Sequence, residues 1–424
     1  MGAAPRPGRA GRSIDLSRSL RIGLYENLPP GGAKRSAYEF GRYLARRHVV
    51  ELYTLRPATT EGFDLAPEAA RVYRYRYSPL FGLLDRRLDH GRYAPRSFTL
   101  FEPLRRLHRR IARDMLSRNY DVVLAHTDAM TQAPYLLRWT GRRGVYYCHE
   151  VLRVAREAAI RAAHRAELRR SRQPVGSFRV LEDAYVMRRW VSSDRATARA
   201  AGRILVNSGY TREQVWAAYA KPADVTYPGV DVEHFHPGAA TSRRREVLSI
   251  GSPIAIKGHE LIIRALGRIN PSVGRPGLRI VAASLEGAGD LRALSLAQGV
   301  EIEMEGPISE QALVSRYQGA AATVCAARLE PFGLTPLESM ACATPVIAIR
   351  EAGFRESIVD RQTGLLVEPE EDALAGAIEE LVNNEQLARE LGAHGRDHVV
   401  EQWTWERRGK ELESALQESI SEWN

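Results

Sequence analysis

Short apolar, β-rich runs alternate with helical patterns along this chain, and the alternation occurs twice. The first set is LRIGLY (20–25), VVELYTL (49–55), VVLAH (122–126), GVYYC (144–148) and RILVNS (203–208). The second is VLSIG (247–251), LRIVAAS (278–284), VEIEMEG (300–306), AATVCAA (321–327) and PVIAI (345–349). Strand–helix–strand alternation winds into parallel sheets with helices on both faces. Between the sets lies VTYPGVDVEHFHP (225–237), which lacks a period, carries Pro228, Gly229 and Pro237, and reads as an interdomain connection. At 424 residues the chain is also too long for one ordinary core. The pattern predicts an α/β protein with an N-terminal domain over 19–228 and a C-terminal domain over 229–402. Residues 403–424 predict a helix that crosses back onto the first domain. Ligands of open α/β sheets bind outside the carboxyl ends of the strands, so two such domains leave a cleft between them.

The formal net charge is +10, which favours anionic partners. Cys148, Cys325 and Cys342 are far apart in apolar stretches and read as buried reduced thiols. No apolar run approaches the length of a membrane span, and MGAAPRPGRAGRSIDLSRS has no signal-peptide apolar region. Residues 1–18 are expected to be a disordered tail and the protein cytoplasmic.

The stretch LEPFGLTPLESMACATPVIA (329–348) sets Glu330 and Glu338 around a glycine-bearing turn. Thr335-Pro336-Leu337-Glu338 has the form of a capping box, with Thr335 as N-cap, Pro336 in the first turn and Glu338 reaching back. That reading leaves Glu330 and Phe332-Gly333-Leu334 unexplained. A helix N-terminus offers free N–H groups, and glycine admits a ligand close to the backbone. A ligand with both phosphate and hydroxyls suits amides flanked by two carboxylates, and a nucleotide-sugar is such a ligand.

Glu330, seven residues, Glu338 and SMACATPVIA together resemble the family 4 glycosyltransferases (glycosyl transferases group 1), retaining enzymes of the GT-B fold. Weaker elements stand in the family's order: PPGGAKR (29–35), His126, VNSGYTREQV (206–215), YPGVD (227–231), IKGHELIIRAL (256–266), EAGFRESI (351–358) and TGLLVEP (363–369). The resemblance runs from about residue 20 to 415. It implies two Rossmann-like domains facing across a cleft, the first binding the acceptor and the second the donor. It implies that Glu330 holds the transferred sugar, Glu338 the ribose, the backbone of Phe332, Gly333 and Leu334 the sugar and diphosphate, and Lys257 the diphosphate. Thr335 belongs to the same donor stretch. Gly31 and Gly32 would turn near the phosphates, and His126 matches an active-site position; alone, the two glycines read equally well as a plain strand-to-helix loop. His149 and Glu150 either shape the acceptor region or pair with each other.

The sequence departs from the family at GSPIAIKG, where Ser252 stands in place of a phosphate-binding arginine. Arg355, in GFRE, is a candidate substitute. The implied reaction moves a hexose from a nucleotide-diphosphate sugar, with UDP and GDP the leading nucleotides, to a hydroxyl of a lipid-linked sugar, a glycan or a small molecule. A nucleotide-sugar epimerase or hydrolase, and an inactive nucleotide-sugar-binding homologue, are the alternatives. No metal-ligand spacing occurs, and neither cofactor nor metal is expected.

Residues 84–113 hold nine Arg against three acids, and residues 153–172 hold seven against two. In PLRRLHRRIAR (103–113), Leu104, Leu107 and Ile111 line one helical face and arginines surround it. This helix either docks peripherally on the anionic inner face of a membrane or packs its stripe on the first domain. Nucleic acid is not expected, because no aromatic platform is interleaved with the arginines.

Overall fold

The computed structural model describes residues 18–56, 63–77, 101–156, 177–238 and 244–423. The expected tail, apart from Arg18, therefore lies outside the described residues. So do the arginine-rich stretches 84–100 and 157–172.

The first sheet contains β1 (Arg21–Asn27), β2 (Val49–Arg56), β3 (Arg71–Arg76), β4 (Val122–Asp128), β5 (Gly144–Cys148), β6 (Arg203–Val206) and β7 (Asp224–Val225), in the order β3-β2-β1-β4-β5-β6-β7. The second contains β8 (Glu246–Ile250), β9 (Gly277–Val281), β10 (Ile302–Glu305), β11 (Ala322–Cys325), β12 (Val346–Ile349) and β13 (Leu365–Val367), in the order β10-β9-β8-β11-β12-β13. Pairing is parallel, as in β4 against β5 (His126 opposite Tyr147) and β11 against β12 (Thr323 opposite Val346). Central strands such as β4 and β12 are buried along their whole length, which is why they read as unbroken apolar runs.

Three strands escape the apolar-run reading. RVYRYR forms edge strand β3, whose arginines mostly face water. β7 is two residues long, and β13 is the short LLV.

Five helices position the site: α1 (Gly32–Ala45), α2 (Glu102–Leu116), α3 (Gly209–Tyr219), α4 (Thr335–Ala341) and α5 (Trp405–Trp423). α1 buries Ala37, Phe40 and Leu44 at helical spacing. α5 returns to the first domain, where Trp405 meets Phe40 edge-on at 5.2 Å and Tyr43 donates to Glu413 at 3.0 Å. A Cβ at Gly409 would lie 2.3 Å from the Tyr43 ring, so the close approach of α5 to α1 requires glycine there.

In α2, Leu104 and Ile111 are fully buried and Leu107 packs against the core. The apolar stripe thus faces the protein and is not free to enter a lipid surface. Arg105, Arg106, Arg109, Arg110 and Arg113 remain exposed. The three cysteines are free and buried. No described helix is long and apolar enough to cross a membrane.

Candidate functional site

The carboxyl ends of the two sheets face each other across the cleft. On the second sheet, the turn after β8 brings Lys257 over Gly251, whose φ of 146° belongs to glycine. His259 holds that turn from beneath, its ring bridging Ser249 Oγ at 3.1 Å and the Gly251 carbonyl at 3.0 Å. A Cβ at Gly258 would stand 2.0 Å from the Ala326 carbonyl oxygen, so the Lys-Gly step is dictated by close backbone approach. Lys257 Nζ donates to Glu330 Oε2 at 3.0 Å, and both side chains remain partly accessible.

Glu330 follows Leu329, which holds the uncommon φ of 50°. Its carbonyl accepts from Gly353 N at 3.0 Å. Gly333 has φ 86°, and a Cβ there would fall 2.5 Å from the Phe354 ring. Phe332 is buried against Tyr227 and Trp403, with centroids at 5.9 and 5.6 Å. Leu334 closes the turn and faces the first domain: a Cβ on Gly32 would lie 3.5 Å from its Cδ1. The Gly31–Gly32 and Gly333–Leu334 turns therefore meet across the cleft. Gly31 caps α1 at φ 145°, where an added Cβ would meet open space.

The capping-box reading of Glu338 is corrected by the structure. α4 starts with Thr335 inside the helix, Leu334 as N-cap and no side-chain cap bond. The Glu338 carboxylate points away from the helix start, toward the first domain. Tyr317 OH donates to its Oε2 at 2.7 Å, and the Arg35 guanidinium of α1 is bound to its Oε1. Burial foremost, and then Glu338, push the Tyr317 phenol well above its ordinary range, so it stays a donor. Arg35 also pairs with Glu310 and lies over the rings of Phe63 (4.8 Å) and Phe235 (5.4 Å). Arg35, Glu338, Glu310, Phe63 and Phe235 line an interdomain cavity of about 210 Å³.

In the first domain, His126 Nδ1 lies 3.0 Å from His149 Nε2, and both rings are buried. Burial, reinforced by His149 and Lys34, holds His126 well below the ordinary histidine range; burial pushes His149 down to about 3. Both rings are neutral. Of the two readings of His149 and Glu150, their mutual pairing is not found among the described residues: His149 Nε2 meets His126, and the Glu150 carboxylate lies toward Arg153, at 3.7 Å. Arg355 sits exposed on the single turn Phe354–Ser357, with no ion pair among the described residues. Ser252 lies partly buried in the turn before Lys257.

The sequence reading missed Arg35, Tyr317 and Glu356. The Glu356 carboxylate accepts from Gly209 N (2.7 Å) and Tyr210 N (2.8 Å) at the N-terminus of α3, and from Tyr227 OH (2.9 Å). Beside it, Ser208 Oγ donates to the Pro331 carbonyl at 2.6 Å. The two domains are thus clasped by a carboxylate on a helix N-terminus. Arg35 lies in PPGGAKR and Glu356 in EAGFRESI, but their partners lie in the other domain.

The comparisons with known proteins follow the same division. The "Glycosyltransferase Family 4" model matches residues 30–234, and the "Glycosyl transferases group 1" model matches 232–398. A GDP-mannose-dependent α-(1-6)-phosphatidylinositol monomannoside mannosyltransferase of Mycolicibacterium smegmatis is 30% identical over 49% of this chain and 60% of its own length. The chain spans little more than half the length of the first such relatives. Sucrose-phosphate synthase of Thermosynechococcus elongatus superposes with a TM-score of 0.72 at 20% identity, over 95% of this chain and 100% of its own. Anabaena HepE, solved with UDP and glucose, superposes at 0.69 and 17% identity, over 94% and 99%. At those identities the superpositions speak for the fold, which is GT-B. From the two family matches, which together run from residue 30 to 398, this chain belongs to the family 4 glycosyltransferases, the glycosyl transferases group 1.

Proposed function

We propose that the protein transfers a hexose from a nucleotide-diphosphate sugar to an acceptor hydroxyl, with retention of the anomeric configuration. The observation that carries this reading is the Lys257–Glu330 pair at the carboxyl edge of the second sheet, in the same turn as Leu334, which meets Gly32 of the first domain. As the sugar–phosphate bond breaks, negative charge moves to the leaving diphosphate. A cation already fixed by a carboxylate stabilises that charge without reorganising. Glu330 holds the sugar hydroxyls and Glu338 the ribose, while the glycine turns admit the diphosphate close to backbone. The donor nucleotide is UDP or GDP, in keeping with the UDP in the HepE structure and the GDP-mannose of the mycobacterial relative.

The test is a thermal-shift screen of UDP-, GDP- and ADP-sugars, since a ligand at about 100 times its dissociation constant adds roughly 2.7 kcal/mol. Product analysis with the stabilising donor follows. Transfer with retention is expected. Ser252, standing where a second phosphate-binding cation is expected, favours one other reading, a protein that binds donor without transferring it. Binding without turnover under any acceptor supports that reading instead.

A further inference from the structure

Four neighbouring strands of the first sheet, β1, β4, β5 and β6, carry Glu26, His126, His149 and Asn207 at or just past their carboxyl ends. Their exposures are 5%, 0%, 4% and 8%, and Lys34, from the first turn of α1, is 5% exposed. The groups form two bonded sets. Lys34 Nζ lies 2.5 Å from Glu26 Oε1, His126 Nδ1 lies 3.0 Å from His149 Nε2, and Asn207 Nδ2 donates to the His149 carbonyl at 2.9 Å. β1 pairs with β4, Tyr25 opposite Ala125, which sets Glu26 beside His126 and brings the two sets together along one sheet edge.

Three atoms in them find no hydrogen-bond partner among the described residues: Glu26 Oε2, His126 Nε2 and Asn207 Oδ1. A buried polar atom left unpaired is costly, and well-packed apolar residues serve stability as well as a buried ion pair does. Such atoms at the edge of a sheet where ligands bind call for a ligand.

The chemistry of the free positions narrows its class. Glu26 Oε2 only accepts hydrogen bonds. Lys34 only donates and has used one of its three hydrogens on Glu26. A hydroxyl both donates and accepts, so it can bridge the pair. A phosphate only accepts and would face the charge of Glu26. We propose that Glu26 and Lys34 bind the acceptor, holding a hydroxyl of a neutral polyol, a sugar or cyclitol ring, beside His126. This rests on the glycosyltransferase reading above and names the substrate class of its first-domain side.

The experiment titrates glucose, mannose, myo-inositol and glycerol, and the phosphate esters of the first three, into the full chain with and without UDP or GDP, observed by ligand NMR. At least one neutral polyol is expected to bind wild type better than its phosphate ester. Glu26→Gln and Lys34→Met are each expected to weaken it by about ten-fold or more, as for a lost charge-assisted hydrogen bond, with nucleotide affinity within about two-fold of wild type. Glu26→Asp, which keeps the charge, should fall between, and it carries the test together with Lys34→Arg if the neutral variants do not fold. Unchanged polyol affinity in the variants, preference for the phosphate esters, or no polyol binding to wild type overturns the proposal. Failure of UDP and GDP to bind wild type strikes the donor-site reading instead, and the titrations without nucleotide still decide the acceptor pair.

Discussion

Arg35 and Glu338, 303 positions apart, form a largely buried ion pair that joins the two domains across the cleft. The second oxygen of Glu338 is taken by Tyr317, so the carboxylate is held at both ends. Removing either partner leaves the other charge nearly dry. Arg35→Gln and Glu338→Gln are therefore each expected to cost about 2–4 kcal/mol of stability, with a double-mutant coupling of at least about 1 kcal/mol. Urea denaturation of the four proteins measures it. Coupling near zero means that the pair is absent in solution.

Lys257 and Glu330 make a second, partly accessible pair, in the proposed donor site. Glu330→Gln and Lys257→Ala are expected to lower kcat by about 100-fold, the scale of a lost transition-state contact, while the fold survives. Ser252→Arg should tighten donor binding if Lys257 serves alone. If Arg355 is the second cation, Arg355→Ala should behave like Lys257→Ala and Ser252→Arg should gain nothing. Donor titrations separate these outcomes. Wild-type kinetics in all the variants would falsify the donor-site assignment.

Four histidines are buried and depressed: His126 well below the ordinary range, His149 to about 3, His259 to about 4, and His108 downward, each by burial first. In the unfolded chain each titrates near ~6.5. Below that value the unfolded chain binds more protons than the folded one, so stability is fully present above ~6.5 and falls as the pH drops. Each group contributes up to ~1.4 kcal/mol per pH unit in that window. The urea midpoint should fall steeply between about pH 7 and about pH 5, and less steeply in a His126→Gln, His149→Gln double variant. A midpoint independent of pH would contradict neutral burial of the rings.

α2 offers a membrane only charge, because its apolar stripe is packed inward. Arg105 and Arg106 already share Glu102, which leaves Arg109, Arg110 and Arg113 as the freer cations. Any binding to anionic vesicles should therefore weaken sharply with salt, since exposed charges are screened over about 8–10 Å at physiological ionic strength. Replacing Arg105, Arg106, Arg109 and Arg110 with Gln should abolish it. Co-sedimentation that survives high salt would point to an apolar contact elsewhere.

The turn geometry makes a last prediction. Gly333→Ala places a Cβ 2.5 Å from the Phe354 ring at a φ of 86°. The turn must shift, and donor affinity should fall by about ten-fold or more. Gly31→Ala also has unfavourable φ but open space for the Cβ, so its loss should be smaller. Equal effects would mean that strain alone, and not contact with Phe354, governs the donor turn.

The alternation of apolar runs determined the α/β class, the two sheets and the place of the cleft, because a strand's burial depends on the period of its own neighbours. GVYYC (144–148) became β5 residue for residue. RVYRYR did not announce itself as a strand, because an edge strand with a wet face need not be apolar. The spacing of Glu330 and Glu338 likewise marked a stretch at the domain interface, but not where each acid points. Locally, Glu338 is indistinguishable from the last member of a capping box. Only the packed structure turns it toward Tyr317 and Arg35, and only there do His126 and His149, or Lys34 and Glu26, become buried pairs. The physical reason is range. Backbone periodicity is set by residues two to four positions apart, whereas a buried charge finds its partner after two sheets, and then two domains, have been brought edge to edge.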